Sequence, residues 1–331
     1  MSPTDTFAVG GVPVFMLLYA DDLVLISATP AALQQELDIL AGFCVDWDLT
    51  VNMKKTNTVI FNPRGKRVFP WKLGGQPVAP ANIYKYLGLI FDARKGLKAA
   101  QGRLVDSGRK ALFGMMDICS QQDINDPSLR QHMWNALILP VLSYGAELWG
   151  GLCPAFIAEK YFEKTPGEKV HRIFLRWLTG AGRTTHNRIL PQAAGQLPLG
   201  AHWASCTASF WNRLAEMDPD RLAHLAFRDN VELMHRGGEC WASRAVSQFK
   251  CLGIMSEAAE NSPQVPLWDC RLEATEAIAR SNRDFWAFYQ RRSPRSLPTH
   301  HVDNRTLHTF SGWFHQLADG LPAHHNVPAH Q

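Results

Sequence analysis

The sequence VFMLLYADDLVLI, Val14–Ile26, sets two adjacent carboxylates between two apolar runs. Such a pattern predicts two strands joined by a tight turn, and strands this apolar are expected to be buried on both faces. Asp21 and Asp22 would then lie at the edge of a packed sheet, where like charges repel unless a cation neutralises them. Carboxylates are hard oxygen ligands that suit Mg²⁺, so the stretch predicts a magnesium site. An ordinary hairpin turn is the alternative, because short motifs also match by chance.

Three further motifs follow this one in order. Leu49–Thr56 contains Asn-x-x-Lys-Thr, Tyr84–Leu89 reads YKYLGL, and Leu139–Gly150 reads LPVLSYGAELWG. With Tyr-Ala-Asp-Asp at residues 19–22, this order and spacing resembles the reverse transcriptases of non-LTR (LINE-type) retrotransposons. The resemblance is sharp from about residue 14 to 150 and looser to about residue 217. In that family the third motif is the primer-grip strand and the fourth is a signature of the thumb.

The resemblance implies a role for individual residues. Asp21 and Asp22 would bind the two Mg²⁺ ions of an RNA-directed DNA polymerase, a nucleotidyltransferase, with Asp21 the more essential ligand. Lys55 would lie near the departing pyrophosphate, which a fixed ammonium can neutralise or protonate, and the adjacent Lys54 is an alternative. The primer end would be held by Tyr84, Lys85, Tyr86, Leu87 and Gly88. A half-buried strand explains the last stretch equally well.

Basic residues between positions 98 and 176 are candidates for contacts with nucleic-acid phosphates. The partners that the resemblance implies are an RNA template, a DNA primer and dNTPs. A solvated outer helix face explains the same charges, and a net charge of +4 permits a nucleic-acid partner without requiring one. The candidates are Lys98, Arg103, Arg109, Lys110, Arg172 and Arg176.

Composition bounds the class of protein. Apolar residues make up 46% and charged residues 19% of 331 residues, which is typical of globular chains. The seven cysteines include no Cys-x-x-Cys pair, which favours reduced intracellular thiols over a zinc site or a disulfide framework. No signal peptide and no apolar run of membrane length is visible. The chain is predicted to be intracellular, nuclear or cytoplasmic, without a membrane partner.

The pattern predicts an α+β fold. Residues 1–92 would form a partial polymerase palm, an antiparallel sheet with a packed helix, after a flexible lead-in at 1–13. A helical thumb (93–180), a helical C-terminal region (181–290) and a disordered tail (291–331) would follow. Within these, Thr50–Asn52 and Thr58–Phe61 read as strands and residues 62–67 as an exposed loop.

Capping residues and apolar periodicity locate the helices. Starts are predicted at Thr29-Pro30, at Asp126-Pro127 and at a capping box over Thr165–Glu168, with a kink at Pro140 and a helix end at Gly180. Three aromatic stripes read as helix faces packed in a core, although base stacking is the alternative. They are Trp203 with Phe210 and Trp211, Trp241 with Phe249, and Ile278 with Phe285, Trp286 and Tyr289.

Polymerisation with two metal ions needs a further aspartate. The resembled family carries it upstream, between a fingers domain and a Gln-Gly loop, and only eighteen residues precede Tyr19. The chain is therefore expected to be a C-terminal fragment that lacks these elements, exposes apolar sheet surface and is inactive without the upstream segment. A non-catalytic nucleic-acid-binding remnant and a folded relic without function are the alternatives.

Overall fold

The computed structural model describes residues 7–62, 69–150, 165–185, 187, 189–196 and 198–251. Short strands come first and helices dominate after residue 97, so the predicted α+β class is confirmed. The predicted tail, the third aromatic stripe and most of the loop at 62–67 lie outside the described residues. Among the described helices, none is both long and apolar enough to cross a membrane.

In these ranges ten short strands pair as separate two-stranded ladders. Neighbouring strands form antiparallel hairpins, except that β5 pairs in parallel with β8. The strands are β1 (Ala8–Val9), β2 (Val12–Pro13), β3 (Met16–Tyr19), β4 (Asp22–Leu25), β5 (Asn57–Thr58), β6 (Lys72–Leu73), β7 (Gln76–Pro77), β8 (Ala79–Pro80), β9 (Ile83–Tyr86) and β10 (Leu89–Asp92).

The expectation that the apolar strands around Asp21 are buried on both faces is wrong. Leu18 is 63% exposed and Tyr19 is 62% exposed. The physical reason is that β3 and β4 pair only with each other in the described part of the chain, and a two-stranded ribbon has too little cover to bury both of its faces. The exposed apolar surface that the sequence predicted is therefore present on this hairpin.

The flexible lead-in predicted for residues 1–13 is also wrong for its described part. β1 and β2 form a hairpin around Gly10 and Gly11, which both have positive φ. The Gly10 N–H donates to Asp229 Oδ2 at 2.6 Å. This contact ties the first hairpin to a helix that lies 219 residues later.

The described helices are one at residues 30–46 and a series that begins at residue 98. A π-helical turn, Trp134–Ile138, precedes α4 at the predicted Pro140 kink, and such a wider turn suits a proline that has no N–H. The helices are α1 (Pro30–Asp46), α2 (Lys98–Gln121), α3 (Pro127–Met133), α4 (Leu139–Leu142), α5 (Ala146–Trp149), α6 (Pro166–Thr179), α7 (Ile189–Ala193), α8 (Leu199–Ala215), α9 (Leu222–His235) and α10 (Trp241–Cys251).

The predicted N-caps are confirmed. Thr29 accepts from the Ala32 N–H, Asp126 from two first-turn amides, and Thr165 from the Glu168 N–H. The capping box is wrong in its second half, because the buried Glu168 side chain accepts from Gly200 N–H at 3.3 Å instead of from the Thr165 backbone. The first turn of α6 is thereby linked to the first turn of α8.

Three apolar clusters hold the chain together. The largest, here the bundle cluster, fills the space between α2, α4, α6 and the start of α8. The α8–α10 cluster surrounds Trp211, and the hairpin-base cluster joins the end of β4, α1 and Trp71. Burial of Trp203, Trp211 and Phe249 confirms that two aromatic stripes are core. The boundaries of palm, thumb and C-terminal region stay predictions.

Gly108 on α2 lies against Leu142 of α4, and a Cβ there would be 2.3 Å from Leu142 Cδ2. Leu142 is 1% exposed and cannot move aside. We expect Gly108→Ala to lower the free energy of unfolding by about 1–3 kcal/mol. Gly102→Ala and Gly114→Ala, on the same helix with open space around them, should raise it by about 0.5–1 kcal/mol each. Urea unfolding followed by circular dichroism measures all three, and a common sign would contradict the packing argument.

Candidate metal and nucleic-acid site

The Asp21-Asp22 pair lies at the tip of the β3–β4 hairpin. Tyr19 pairs with Asp22, which leaves Ala20 and Asp21 as a two-residue turn. Ala20 has φ +52°, a left-handed conformation that costs a non-glycine residue about 1–2 kcal/mol. Both aspartates are exposed. The turn therefore presents two adjacent carboxylates to solvent.

These carboxylates fit part of a magnesium coordination shell. Mg²⁺ prefers hard oxygen ligands in octahedral geometry and usually retains several waters. In the described part of the chain, no group of three or more His, Cys, Asp or Glu side chains is arranged to hold a metal ion. Asp21 and Asp22 would thus supply two ligands, and other donors have to complete the shell.

The base of the hairpin is anchored to α1. Ser27 Oγ donates to Glu36 Oε2 at 2.5 Å, and Leu25 packs into the hairpin-base cluster. Glu36 is 7% exposed. Burial raises the pKa of the Glu36 carboxyl above its ordinary value of 4.5, and the hydrogen bond from Ser27 opposes this only in part.

The raised pKa of Glu36 predicts a pH effect on stability. The native state holds the proton more tightly than the unfolded chain, so the free energy of unfolding falls as pH rises from 4.5 through the raised pKa. Glu36→Gln keeps an acceptor for Ser27 and removes the carboxyl whose titration makes the free energy of unfolding depend on pH. We expect the variant to gain stability relative to the native chain as pH rises from 4 to 7 in urea titrations. Asp38→Asn, an exposed carboxylate on the same helix, is the control, and an equal gain there would contradict the argument.

The Asn-x-x-Lys-Thr motif forms a compact turn. Asn52 Oδ1 accepts from Lys54 N–H at 3.1 Å, and Asn52 O accepts from the Lys55 N–H and from Thr56 Oγ1, both at 3.0 Å. The predicted strand at Thr50–Asn52 is therefore wrong, because the asparagine side chain closes a turn instead. Asn52 and Thr56 fix the backbone while both lysine side chains stay exposed.

The primer-grip candidate lies beside this turn. Tyr84 to Tyr86 belong to β9, and Leu87 and Gly88 make the turn to β10 with φ of 45° and 83°. Tyr84 OH donates to Lys55 O at 3.4 Å. Lys85 and Leu87 are exposed, while Tyr84 and Tyr86 are half-buried. The second and third motifs are therefore neighbours, although they lie about thirty residues apart in sequence.

The fourth motif meets the third at the same turn. Tyr144 OH donates to Leu87 O at 2.8 Å, and a Cβ on Gly88 would be 2.8 Å from Tyr144 Cε1. Sequence reasoning placed Tyr144 in a family signature but missed this contact. The signal that could have found it is a tyrosine followed by Gly145, whose φ of +67° marks a tight turn.

The basic candidates divide into two groups. The four on α2 are exposed and Arg172 on α6 is half-buried. Arg176, by contrast, donates to Gly182 O, to Thr185 O at 2.8 Å and to Asn187 Oδ1 at 2.9 Å. Its guanidinium group ties the loop after α6. The exposed members on α2 are Lys98, Arg103, Arg109 and Lys110.

Residues 4–91 match the reverse transcriptase (RNA-dependent DNA polymerase) family. A transposon-derived protein of Caenorhabditis elegans is 28% identical over 139 residues, 40% of this chain and 48% of that protein. The RNA-directed DNA polymerase from mobile element jockey of Drosophila melanogaster is 22% identical over 143 residues, 41% of this chain and 16% of that protein. The chain thus spans about half or less of these relatives. No solved structure matches the chain. The resemblance found in the motifs is confirmed: the chain contains a reverse transcriptase region of the non-LTR retrotransposon type.

Proposed function

We propose that the chain contributes the Asp-Asp turn and the primer-holding elements of an RNA-directed DNA polymerase. The observation that carries this proposal is the contact between three motifs. Tyr84 OH bonds to Lys55 O, and Tyr144 OH bonds to Leu87 O. The residues that the family uses at the nucleotide and at the primer are therefore brought side by side by direct hydrogen bonds.

Each group has a definite task in this proposal. Asp21 and Asp22 hold Mg²⁺, which when bound activates the primer hydroxyl and steadies the leaving pyrophosphate. The exposed Lys55 ammonium neutralises charge that develops on the pyrophosphate. The backbone of the β9–β10 turn, at Leu87 and Gly88, and the side chains of Tyr84, Lys85 and Tyr86 hold the primer end.

Phosphate contacts along the duplex come from the exposed face of α2. Lys98, Arg103, Arg109 and Lys110 lie within the first thirteen residues of α2, about 18 Å of helix, which is sufficient to reach several successive phosphates of a duplex. Arg172 adds a further charge from α6. Arg176 does not contact phosphate in this proposal. Its hydrogen bonds hold the loop after α6, the helix that carries Arg172.

A second candidate is binding of a template–primer duplex without synthesis. The observation that favours it is that the described carboxylates supply two ligands at the hairpin tip and no third beside them. In this case the chain binds the duplex but does not synthesise DNA. Synthesis then needs a carboxylate from outside the described residues.

Both candidates predict salt-dependent binding of an RNA–DNA template–primer through α2. Fluorescence anisotropy between 50 and 300 mM KCl should show affinity falling linearly in a log–log plot. Replacing Arg103, Arg109 and Lys110 by glutamine should lower the slope by about 2–3, roughly one for each phosphate contact.

The matched control removes the same charge elsewhere. Arg221, Arg228 and Arg236 are exposed basic residues on or beside α9. Their replacement by glutamine should change the slope by less than about 1. Equal losses from the two triple variants, or affinity that does not respond to salt, would contradict binding through α2.

A further inference from the structure

Three tryptophan side chains donate to one short segment, Ser143–Glu147. Trp149 Nε1 donates to Tyr144 O at 2.8 Å, and Trp203 Nε1 donates to Ser143 Oγ at 3.1 Å. Trp241 Nε1 donates to Glu147 O at 3.0 Å. These donors come from α5, α8 and α10. The segment is therefore held by hydrogen bonds from helices of the bundle cluster and of the α8–α10 cluster.

The segment also touches the β9–β10 turn. Tyr144 OH donates to Leu87 O at 2.8 Å, and the Tyr144 ring occupies the space where Gly88 would carry a Cβ. A Cβ on Gly145 would be 2.9 Å from Leu89 Cδ1. The two turns are packed too closely for one to shift without the other.

The β9–β10 turn needs an external support. Leu87 has φ 45°, a conformation that residues with a side chain rarely adopt. A two-stranded hairpin by itself is only marginally stable in water. The hydrogen bond from Tyr144 fixes the Leu87 carbonyl in this unusual conformation, and the tryptophans fix Tyr144.

We propose that Tyr144 is a positioning residue for the primer end. This rests on the proposed function of the β9–β10 hairpin as primer grip. Tyr144 acts through Leu87: its hydroxyl holds the turn, and the turn holds the primer. Leu87 is 38% exposed and Tyr144 is 50% exposed, so the supported turn remains open to a ligand. The helices of the bundle cluster and of the α8–α10 cluster thereby help to set the position of the primer end through the Tyr144 side chain.

Tyr144→Phe tests this assignment because it keeps the ring and removes the hydroxyl. In hydrogen exchange, amides of residues 83–92 should exchange at least tenfold faster in the variant, while those of α1 stay unchanged. In photo-cross-linking, a template–primer with 4-thiothymidine at the primer 3′ end should lose at least fivefold of its cross-link to residues 83–89. Total affinity for the duplex should change less than twofold.

Trp71→Phe, which loosens the hairpin-base cluster and not the helices that hold Ser143–Glu147, controls for a general loss of stability and should leave the cross-link yield intact. Unchanged exchange in Tyr144→Phe, or an unchanged cross-link with the duplex bound, overturns the inference and leaves the proposed function standing. A native chain that binds no duplex overturns both. A native chain that binds the duplex but cross-links elsewhere overturns the inference alone.

Discussion

Asp21→Asn is expected to weaken Mn²⁺ binding at the tip of the β3–β4 hairpin by at least about tenfold, since loss even of an outer-shell partner costs a metal site 10–100-fold. Mn²⁺ serves as the probe because it takes the same oxygen ligands as Mg²⁺ and is visible by electron paramagnetic resonance. Asp21 and Asp22 are exposed and adjacent, so the loss of one charge removes half of the local ligand set. Asp38→Asn, which neutralises an exposed carboxylate on α1, should leave binding unchanged.

Primer extension on an RNA template with Mg²⁺ complements this measurement. We expect no synthesis from the native chain or from Asp21→Asn, because the described carboxylates supply only two ligands at the hairpin tip. Synthesis by the native chain that disappears in Asp21→Asn would contradict this expectation. It would mean that another residue of the 331 completes the metal site.

Trp203→Ala is expected to have the largest effect on stability, a loss of about 3–5 kcal/mol in the free energy of unfolding. Trp203 is fully buried, its ring lies 4.9 Å from that of Trp149, and its N–H donates to Ser143 Oγ. A cavity and an unsatisfied hydroxyl would remain. Urea unfolding measures the loss.

The matched control for this variant is Trp47→Ala. Trp47 follows α1, is 68% exposed and contacts the Phe43 ring at a centroid distance of 5.8 Å. Its loss should cost less than about 1 kcal/mol. A similar cost at the two tryptophans would show that Trp203 does not carry the bundle cluster.

Local rules predicted the helices well. The caps at Thr29, Asp126 and Thr165 depend on one side chain and the next three residues, so the sequence is sufficient to find them. The Glu168 side chain escaped the capping-box rule because its partner, Gly200, lies 32 residues away. A local sequence pattern cannot predict that the Glu168 carboxylate accepts from the distant Gly200 N–H instead of the nearby Thr165 N–H.

The candidate site was predicted only in its parts. Sequence motifs identified Lys55, Tyr84 and Tyr144 as members of separate segments, but the hydrogen bonds between these segments span 29 and 57 residues. The burial of Leu18 was predicted wrongly for a related reason. Its apolar character favours a covered strand, whereas its exposure depends on which other strands pair with the hairpin.

The bond between Gly10 and Asp229 has a consequence for biosynthesis. Because 219 residues separate the two partners, the β1–β2 hairpin can dock only after α9 has left the ribosome. At about 5–20 residues per second, this delay is roughly ten to forty seconds. During that time the β1–β2 hairpin stays undocked while the apolar β3–β4 strands after it are already synthesised, so a nascent-chain chaperone that recognises extended apolar segments would meet them first.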